Sequence, residues 1–155
     1  IKYIEEDEPM GTIGAVSKIK NIKTDNILVM NSDILTDIDF ESFYNFHESN
    51  LNQMTVASIP YHVDIPYAVL KKDGSKVIGF AEKPRYTYYS NAGIYLIRKE
   101  SLGLVPKNKF YNATDLMKKL IDKNKLFHFP ILNYWLDIGK HEDFVKAQSD
   151  ISKLD

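Results

Sequence analysis

The sequence contains no cysteine and only one tryptophan, and no apolar run in it is long enough to span a bilayer. Without cysteine there is neither a disulfide framework nor a thiolate metal site. The first residues also lack the basic-then-apolar pattern of a signal peptide. These absences favour a cytoplasmic protein, and we expect it to have no membrane partner.

Neither sign of charge is in excess. The 20 Lys and Arg residues nearly balance the 21 Asp and Glu residues, for a formal net charge of −1. Proteins that bind nucleic acid or anionic lipid carry basic patches, so we expect no nucleic-acid partner. A length of 155 residues and an apolar share of 44% suit one domain with a core. We therefore treat residues 1–155 as one domain or as part of one.

The most informative stretch is Ile27–Asp33 (ILVMNSD), four apolar residues that run into two small polar residues and an aspartate. A short apolar run of this kind indicates a strand buried on both faces, as in a parallel sheet covered by helices. In such sheets, ligands bind beyond the carboxyl ends of the strands. Asp33 would then offer a hard oxygen ligand to Mg²⁺. The alternative is that Asn31–Asp33 only forms a turn after a core strand.

Asp137 is the second acidic residue of interest, because it interrupts the apolar run Tyr134–Gly139. A carboxylate flanked by Trp135, Leu136 and Ile138 is expected to be partly desolvated, which is costly unless it is paired or bound to metal. A Mg²⁺ ion shared with Asp33 would satisfy both charges. The alternative is that Asp137 caps the following turn or helix.

The remaining pattern predicts an alternation of helices and strands. Thr12 is expected to cap a helix entered through Gly11 and Gly14, an entry that suits an anion but is also typical of a plain turn. Asp39 is expected to cap a helix whose aromatic stripe ends at His47, a partly buried residue to which we assign no chemistry. Further helices are expected after Asn112 or Thr114, with Asn124 at the C-terminus, and over His141–Ile151.

The predicted strands lie between these helices. Asp73-Gly74 predicts a hairpin that joins strands over 67–71 and 76–81. Pro60 and Pro66 bracket one segment and three tyrosines occupy another, so 60–66 and 85–90 are expected to be loops. The other predicted strands are Ile1–Ile4, Met54–Ile59, Asn91–Ile97 and Leu126–Pro130.

Six of these stretches, in this order, resemble the sugar-1-phosphate nucleotidylyltransferases, and most closely their mannose-1-phosphate guanylyltransferase type. The resemblance covers nearly the whole chain. The matching segments and family motifs are Pro9–Ala15 with P-L-G-T-A-G-A, Asn31–Asp33 with N-G-D, Tyr67–Val69 with Y-G-V, Glu82–Pro84 with E-K-P, Asn91–Tyr95 with N-A-G-I-Y and Trp135–Gly139 with W-x-D-I-G.

The resemblance implies a fold and a reaction. The fold is α/β, with a mixed, mainly parallel sheet sandwiched by helices, as in nucleotide-diphospho-sugar transferases. A sugar 1-phosphate attacks the α-phosphorus of a nucleoside triphosphate and releases pyrophosphate. Asp33 and Asp137 would hold Mg²⁺, and Lys83 would offset phosphate charge. The implied substrate-binding residues are Gly11, Gly14, Tyr67, Ala68, Glu82, Lys83 and Asn91.

Two departures from the family pattern stand out. Ser32 and Ala68 replace glycines, and the methyl group of Ala68 could crowd the sugar. The family's opening G-G-x-G-T-R-L and its P-K-P do not occur, and the chain starts without Met. We therefore expect an N-terminally incomplete domain that is inactive alone. Such a chain would also expose apolar surface that favours homo-oligomer contacts.

Two alternative functions stay open. A metal-dependent glycosyltransferase uses an acidic D-x-D pair, and Asp37-Ile-Asp39 has that spacing. A non-catalytic sugar-nucleotide-binding or regulatory domain would suit the substituted glycines. Turnover separates the latter from a transferase, and pyrophosphate release separates the two enzyme classes.

Overall fold

The computed structural model describes residues 3–154. The strands and α-helices in this part of the chain are β1 Asn26–Met30, β2 Ile34–Thr36, α1 Phe40–Ser49, β3 Met54–Asp64, β4 Val69–Asp73, β5 Lys76–Ala81, β6 Arg85–Arg98, α2 Ala113–Ile121, β7 Leu126–Pro130, β8 Trp135–Asp137 and α3 His141–Asp150. Short 3-10 helices cover Gly14–Lys18, Lys99–Leu104 and Ile151–Lys153. The predicted opening strand begins outside the described residues, and Tyr3 and Ile4 are not in a strand.

The central sheet has four strands in the order β1-β6-β3-β7. β6 is antiparallel to both of its neighbours, whereas β3 and β7 are parallel. Three strands therefore run in one direction and β6 runs against them. The predicted α/β fold with a mixed sheet is confirmed.

Apolar side chains cover both faces of this sheet. Successive residues of a strand point to opposite faces, so Ile94 and Leu96 pack on one side while Tyr95 and Ile97 pack on the other. Buried residues of α2 pack with Tyr95 and Ile97, and Phe43 of α1 packs with Ile94 and Leu96. Full burial of a side chain such as Phe43 contributes roughly 1.5–3 kcal/mol.

β1 is an edge strand, and the prediction that both of its faces are buried is wrong. Leu28 and Met30 remain 47% and 38% exposed. Among the described residues β1 pairs only with β6, and nothing in the apolar pattern of a strand indicates how many neighbours it will have. The open edge agrees with the expectation of exposed apolar sheet surface.

Two segments predicted as loops form a long ladder instead. β3 continues through Pro60 to Asp64, and residues 85–90 are the first half of β6. Pairing runs from Ser58↔Asn91 to Asp64↔Arg85. β7 pairs with β3 only as far as Ser58, so one side of β3 is free beyond it and tolerates a residue without an N–H donor.

The predicted hairpin and helix caps are largely confirmed. β4 and β5 pair from Val69↔Ala81 to Asp73↔Lys76 around Gly74, whose φ is +55°. Asp39 caps α1 by accepting from the Ser42 N–H at 3.0 Å. Asn112 is the N-cap of α2, and its N–H donates to Asp115. His47, expected at a partly buried edge, is completely buried. No helix within 3–154 is long and apolar enough to cross a membrane.

Candidate functional site

The candidate site is organised around an irregularity in β6. The β3 register passes from Val56↔Tyr95 to Ser58↔Asn91, so β6 carries two extra residues at this point. Gly93 lies in this bulge with φ +73°, and a Cβ there would meet Asn31 Nδ2 at 2.7 Å and Ile34 Cδ1 at 2.8 Å. Only glycine permits this close approach. Bulges are frequent beside active sites, where they redirect side chains.

Asn91 holds the bulge in place. Its Oδ1 accepts a hydrogen bond from the Gly93 N–H at 2.9 Å, and its Nδ2 donates to Tyr95 Oη at 2.9 Å. Burial raises the pKa of Tyr95, and the hydrogen bond from Asn91 opposes this shift. An amide has two N–H groups and two acceptor positions, so one of each is left over on Asn91. Asn91 can therefore position the bulge and still contact a ligand.

The bulge connects directly to both predicted metal carboxylates. The Asn31 N–H donates to the Gly93 carbonyl at 3.0 Å, and Asp33 follows two residues later. Ile34 then pairs with Asp137 in the β2–β8 ladder, and the Ile138 N–H donates to the Asp33 carbonyl at 2.7 Å. One short ladder thus brings Asp33 and Asp137, which are far apart in sequence, to neighbouring backbone positions.

Asp137 is exposed, so the expectation that it is partly desolvated is wrong. β8 belongs to a two-stranded ladder with β2, and its Trp135, not Asp137, packs against the apolar cluster that contains Ile94. The indole N–H of Trp135 donates to the Ala92 carbonyl at 3.0 Å, which ties β8 to the bulge. Asp33 is exposed as well.

Two exposed carboxylates suit magnesium better than an ion held by protein alone. Mg²⁺ keeps several waters and binds through one or two carboxylates together with substrate phosphates. Across 3–154 there is no cluster of three or more His, Cys, Asp or Glu residues that could hold a metal. Asp33 and Asp137 stay a predicted Mg²⁺ pair, one that would need substrate phosphates to complete the coordination of the ion.

The structure places Tyr67, Ala68, Glu82 and Lys83 together but away from the bulge. The β4–β5 ladder ends at Val69↔Ala81, so Ala68 and Glu82 are the next residues on its two strands. Lys83 has φ +42° at the turn into β6. Asn91 is six residues beyond Arg85 on the extended strand β6, which corresponds to a separation of about 20 Å between them. This group lies at one end of the long ladder and Asn91 at the other.

Gly11 and Gly14 allow close packing against the segment before α2. A Cβ on Gly11 would meet the Tyr111 carbonyl at 2.8 Å, and one on Gly14 would meet the Lys109 carbonyl at 2.8 Å. The helix predicted here is a five-residue 3-10 helix that begins at Gly14, and Thr12 does not cap it. Thr12 Oγ1 instead accepts from the Ala113 N–H at 2.7 Å, the first residue of α2. In this structure the two glycines have a packing role.

The D-x-D spacing of Asp37 and Asp39 is explained by structure. Asp37 Oδ1 accepts from the Tyr134 N–H at 2.7 Å. Asp39 accepts from both the N–H and the hydroxyl of Ser42, and these bonds lower the pKa of its carboxyl group. Both carboxylates accept hydrogen bonds from other residues of the protein, which weakens the glycosyltransferase alternative.

A cavity that sequence reasoning missed adjoins Asn91. Ser58 of β3 and His128 of β7 face it, with Ser58 Oγ and His128 Nδ1 2.9 Å apart. His128 is a polar residue inside the apolar strand Leu126–Pro130, the same signal that singled out Asp137. Ser58 gave no such signal, because a serine within a strand fits a buried or an exposed position equally well.

Comparison with known protein families places the chain in one of them. The family model described as nucleotidyl transferase matches residues 1–153. The chain belongs to the nucleotidyl transferase family. The resemblance drawn from the six motifs is thereby confirmed.

Two curated relatives within the family are both named as mannose-1-phosphate guanyltransferases. The chain is 28% identical over 153 residues to mannose-1-phosphate guanyltransferase 2 of Candida glabrata, covering 94% of the chain and 42% of that protein. It is 27% identical over 160 residues to mannose-1-phosphate guanylyltransferase of Mycobacterium tuberculosis, covering 97% and 44%. The chain thus spans less than half the length of these relatives.

Solved structures give the same fold. HddC from Yersinia pseudotuberculosis matches with a TM-score of 0.65 and 26% identity, over 94% of this chain and 64% of that one. HddC has also been solved in complex with GMP-PN. A putative glucose-1-phosphate thymidylyltransferase from Bacillus anthracis matches with a TM-score of 0.69 at 21% identity, over 96% of this chain and 63% of that one, and supports the fold alone.

Proposed function

We propose that the protein containing this chain transfers a nucleotidyl group from a nucleoside triphosphate to a sugar 1-phosphate, releasing pyrophosphate. The observation that carries the proposal is the β2–β8 ladder, which pairs Ile34 with Asp137 and bonds the Asp33 carbonyl to Ile138 beside the bulge. Family membership supports the reaction class. The names of the curated relatives favour mannose 1-phosphate and a guanine nucleotide as the first pair to test.

In this proposal Asp33 and Asp137 are the catalytic carboxylates that hold Mg²⁺. The bound ion supplies charge neutralisation between two polyanionic substrates, which otherwise repel each other. The ladder keeps the backbones of the two aspartates in neighbouring positions before substrate arrives, which supports a joint role for them. The reaction requires no protein nucleophile, because the sugar phosphate itself attacks phosphorus.

The remaining residues orient the sugar phosphate. Asn91 contacts the sugar with the N–H and the acceptor position that the bulge leaves over, while Glu82 accepts from sugar hydroxyls and Lys83 offsets phosphate charge. About 20 Å of extended strand separates the Glu82 group from Asn91, so joint action of these residues requires the β4–β5 hairpin to bend towards the bulge. Positioning of this kind supplies a large part of the catalysis of phosphoryl transfer.

The chain alone is expected to be inactive. No stretch of the sequence provides a glycine-rich loop with an adjacent Arg-Leu to hold a triphosphate, and Gly11 and Gly14 are occupied by packing against 109–112. We therefore assign catalysis to the intact protein and the sugar-side and metal-carboxylate roles to this part of it.

A substrate panel tests the proposal. The full-length protein is incubated with Mg²⁺, one sugar 1-phosphate and one nucleoside triphosphate at a time, and pyrophosphate release is followed. We expect release from one preferred pair, with a nucleotide-sugar as the second product. If no pair releases pyrophosphate while nucleotide-sugar still binds, the transferase proposal is wrong and a non-catalytic binding domain is favoured.

A further inference from the structure

The cavity beside Asn91 has a volume of about 290 Å³. It lies where β7 meets β3 and is open to solvent on one side. Typical ligand pockets measure about 300–1,000 Å³, so this one suits a small group or one end of a larger ligand. Its lining residues are Val56, Ser58, Tyr89, Asn91, Met117, Leu126, Phe127 and His128.

The polar side of the cavity is a hydrogen-bonded pair. Ser58 Oγ lies 2.9 Å from His128 Nδ1 and 3.5 Å from the Phe129 carbonyl. The longer contact is at the limit of a hydrogen bond, so we assign the hydroxyl proton to the shorter one. Nδ1 then accepts, and a neutral imidazole must carry its proton on Nε2. The pair thus presents an N–H donor whose orientation Ser58 fixes.

Two further features limit how this donor can move. The rings of His128 and Tyr89 are in contact, with centroids 4.8 Å apart and planes inclined by 55°. Ser58 is only 3% exposed, so its hydroxyl is held inside the sheet. His128 is itself exposed, but its ring is bonded by Ser58 on one side and contacted by Tyr89 on the other, which limits the orientations it can take.

The lining also indicates which kind of ligand fits. None of the eight residues is Asp, Glu, Lys or Arg, so the cavity offers no charge to a phosphate or a triphosphate. The lining combines the apolar side chains of Val56, Met117 and Leu126 with the amide of Asn91 and the Ser58–His128 pair. A sugar ring likewise combines apolar C–H faces with hydroxyl edges.

Asn91 relates this cavity to the proposed reaction centre. Its side chain lines the cavity and also bonds Gly93, whose carbonyl accepts from Asn31 next to the predicted metal aspartates. A sugar held at Asn91 with its phosphate directed towards Asp33 would place its far end in the cavity. We propose that this cavity is a sugar subsite and that the Ser58–His128 pair determines specificity for a hydroxyl remote from the 1-phosphate.

This inference rests on the proposed function and is tested through substrate preference. The full-length protein is assayed with its preferred sugar 1-phosphate and with analogues that each lack one hydroxyl on the carbons farthest from the phosphate. We expect wild-type kcat/KM to fall roughly tenfold or more for one analogue, because a site built to bond a hydroxyl is left unpaired without it. The ratio of kcat/KM for the intact sugar 1-phosphate to kcat/KM for that analogue should drop to about one to three in His128→Phe and in Ser58→Ala.

The chain provides a matched control. His62 Nδ1 and Thr87 Oγ1 form a similar pair, 3.0 Å apart, on the same β3–β6 ladder but outside the cavity. His62→Phe and Thr87→Val should keep the wild-type ratio. Circular dichroism and thermal unfolding of every variant separate a change in specificity from a loss of fold. A ratio that stays at the wild-type value in folded His128→Phe and Ser58→Ala would overturn the inference while leaving the transferase intact.

Sugar binding separates the two proposals if no turnover occurs. Isothermal titration of the full-length protein with each sugar 1-phosphate then replaces kcat/KM as the readout. Binding that is weakened by loss of one remote hydroxyl, and by His128→Phe but not by His62→Phe, would support the subsite without the reaction. Absence of binding to the wild-type protein, or equal binding by all variants, would contradict the subsite.

Discussion

Acidification should destabilise this fold through one histidine. His47 lies on α1 with none of its surface exposed, and its Nδ1 is 2.8 Å from Thr55 Oγ1. Its buried Nε2 has no hydrogen-bond partner within the described residues. Burial, together with the nearby charge of Arg98, lowers the pKa of His47 from 6.5 to about 4, although Glu48 acts in the opposite direction.

The magnitude follows from the difference between the folded and unfolded pKa values. Between pH 6.5 and 4 the unfolded chain binds a proton that the folded chain does not, so the free energy of unfolding falls as pH falls through this range. The loss is about 2 kcal/mol by pH 5 and approaches about 3 kcal/mol below pH 4. Such a loss is a sizeable share of the roughly 5–15 kcal/mol typical of a domain.

Urea unfolding followed by circular dichroism at several pH values from 8 to 4.5 measures this effect. His47→Gln should remove the dependence above pH 5, because glutamine keeps polar atoms near Thr55 but does not titrate. The exposed residue His62 provides the control, and His62→Gln should retain the wild-type slope. An equal slope in His47→Gln and in the wild-type protein would refute the reasoning.

Two further substitutions test the packing around the site. Gly93→Ala should destabilise the protein by about 1–3 kcal/mol, because a Cβ would meet Asn31 at a positive φ, whereas Gly103→Ala, with nothing within 4 Å, should be close to neutral in the same urea titration. Thr12→Val should cost about 1 kcal/mol through loss of the bond from Ala113 to Thr12, and thermal unfolding should show no comparable loss for the exposed Thr114→Val. Equal effects within either pair would contradict the assigned contacts.

The fold class could be predicted, and Asp33 and Asp137 could be singled out as candidate metal ligands, because these signals are local or carried by motifs. Asp33 follows an apolar strand, and Asp137 interrupts one, so each is visible within a few residues. That the two become neighbours depends on β2 pairing with β8, about a hundred positions along the chain. Neither the local pattern nor the family resemblance predicted this strand pairing, although the cost of burying Asp137 suggested a Mg²⁺ ion shared with Asp33.

The errors came from features that tertiary context decides. β1 is apolar enough for a buried strand, yet it lies at an open edge. Pro60 indicates a strand end, yet β3 passes through it because β7 has already ended and one side is free. Thr12 has the residue type of a helix cap, but its hydroxyl accepts from the first residue of α2 and does not cap the turn that follows Thr12. In each case the deciding partner is remote in sequence.

The central claim is that Asp33 and Asp137 act together on one Mg²⁺ ion. The most direct measurement is kcat for pyrophosphate release as a function of Mg²⁺ concentration, in full-length wild type, Asp33→Asn, Asp137→Asn and the double variant, with the exposed Asp122→Asn as control. Each single variant should lose at least roughly 100-fold in kcat, and the double variant little more, because residues that act as a unit are not additive. If either single variant retains wild-type kcat and Mg²⁺ dependence, the claim is wrong.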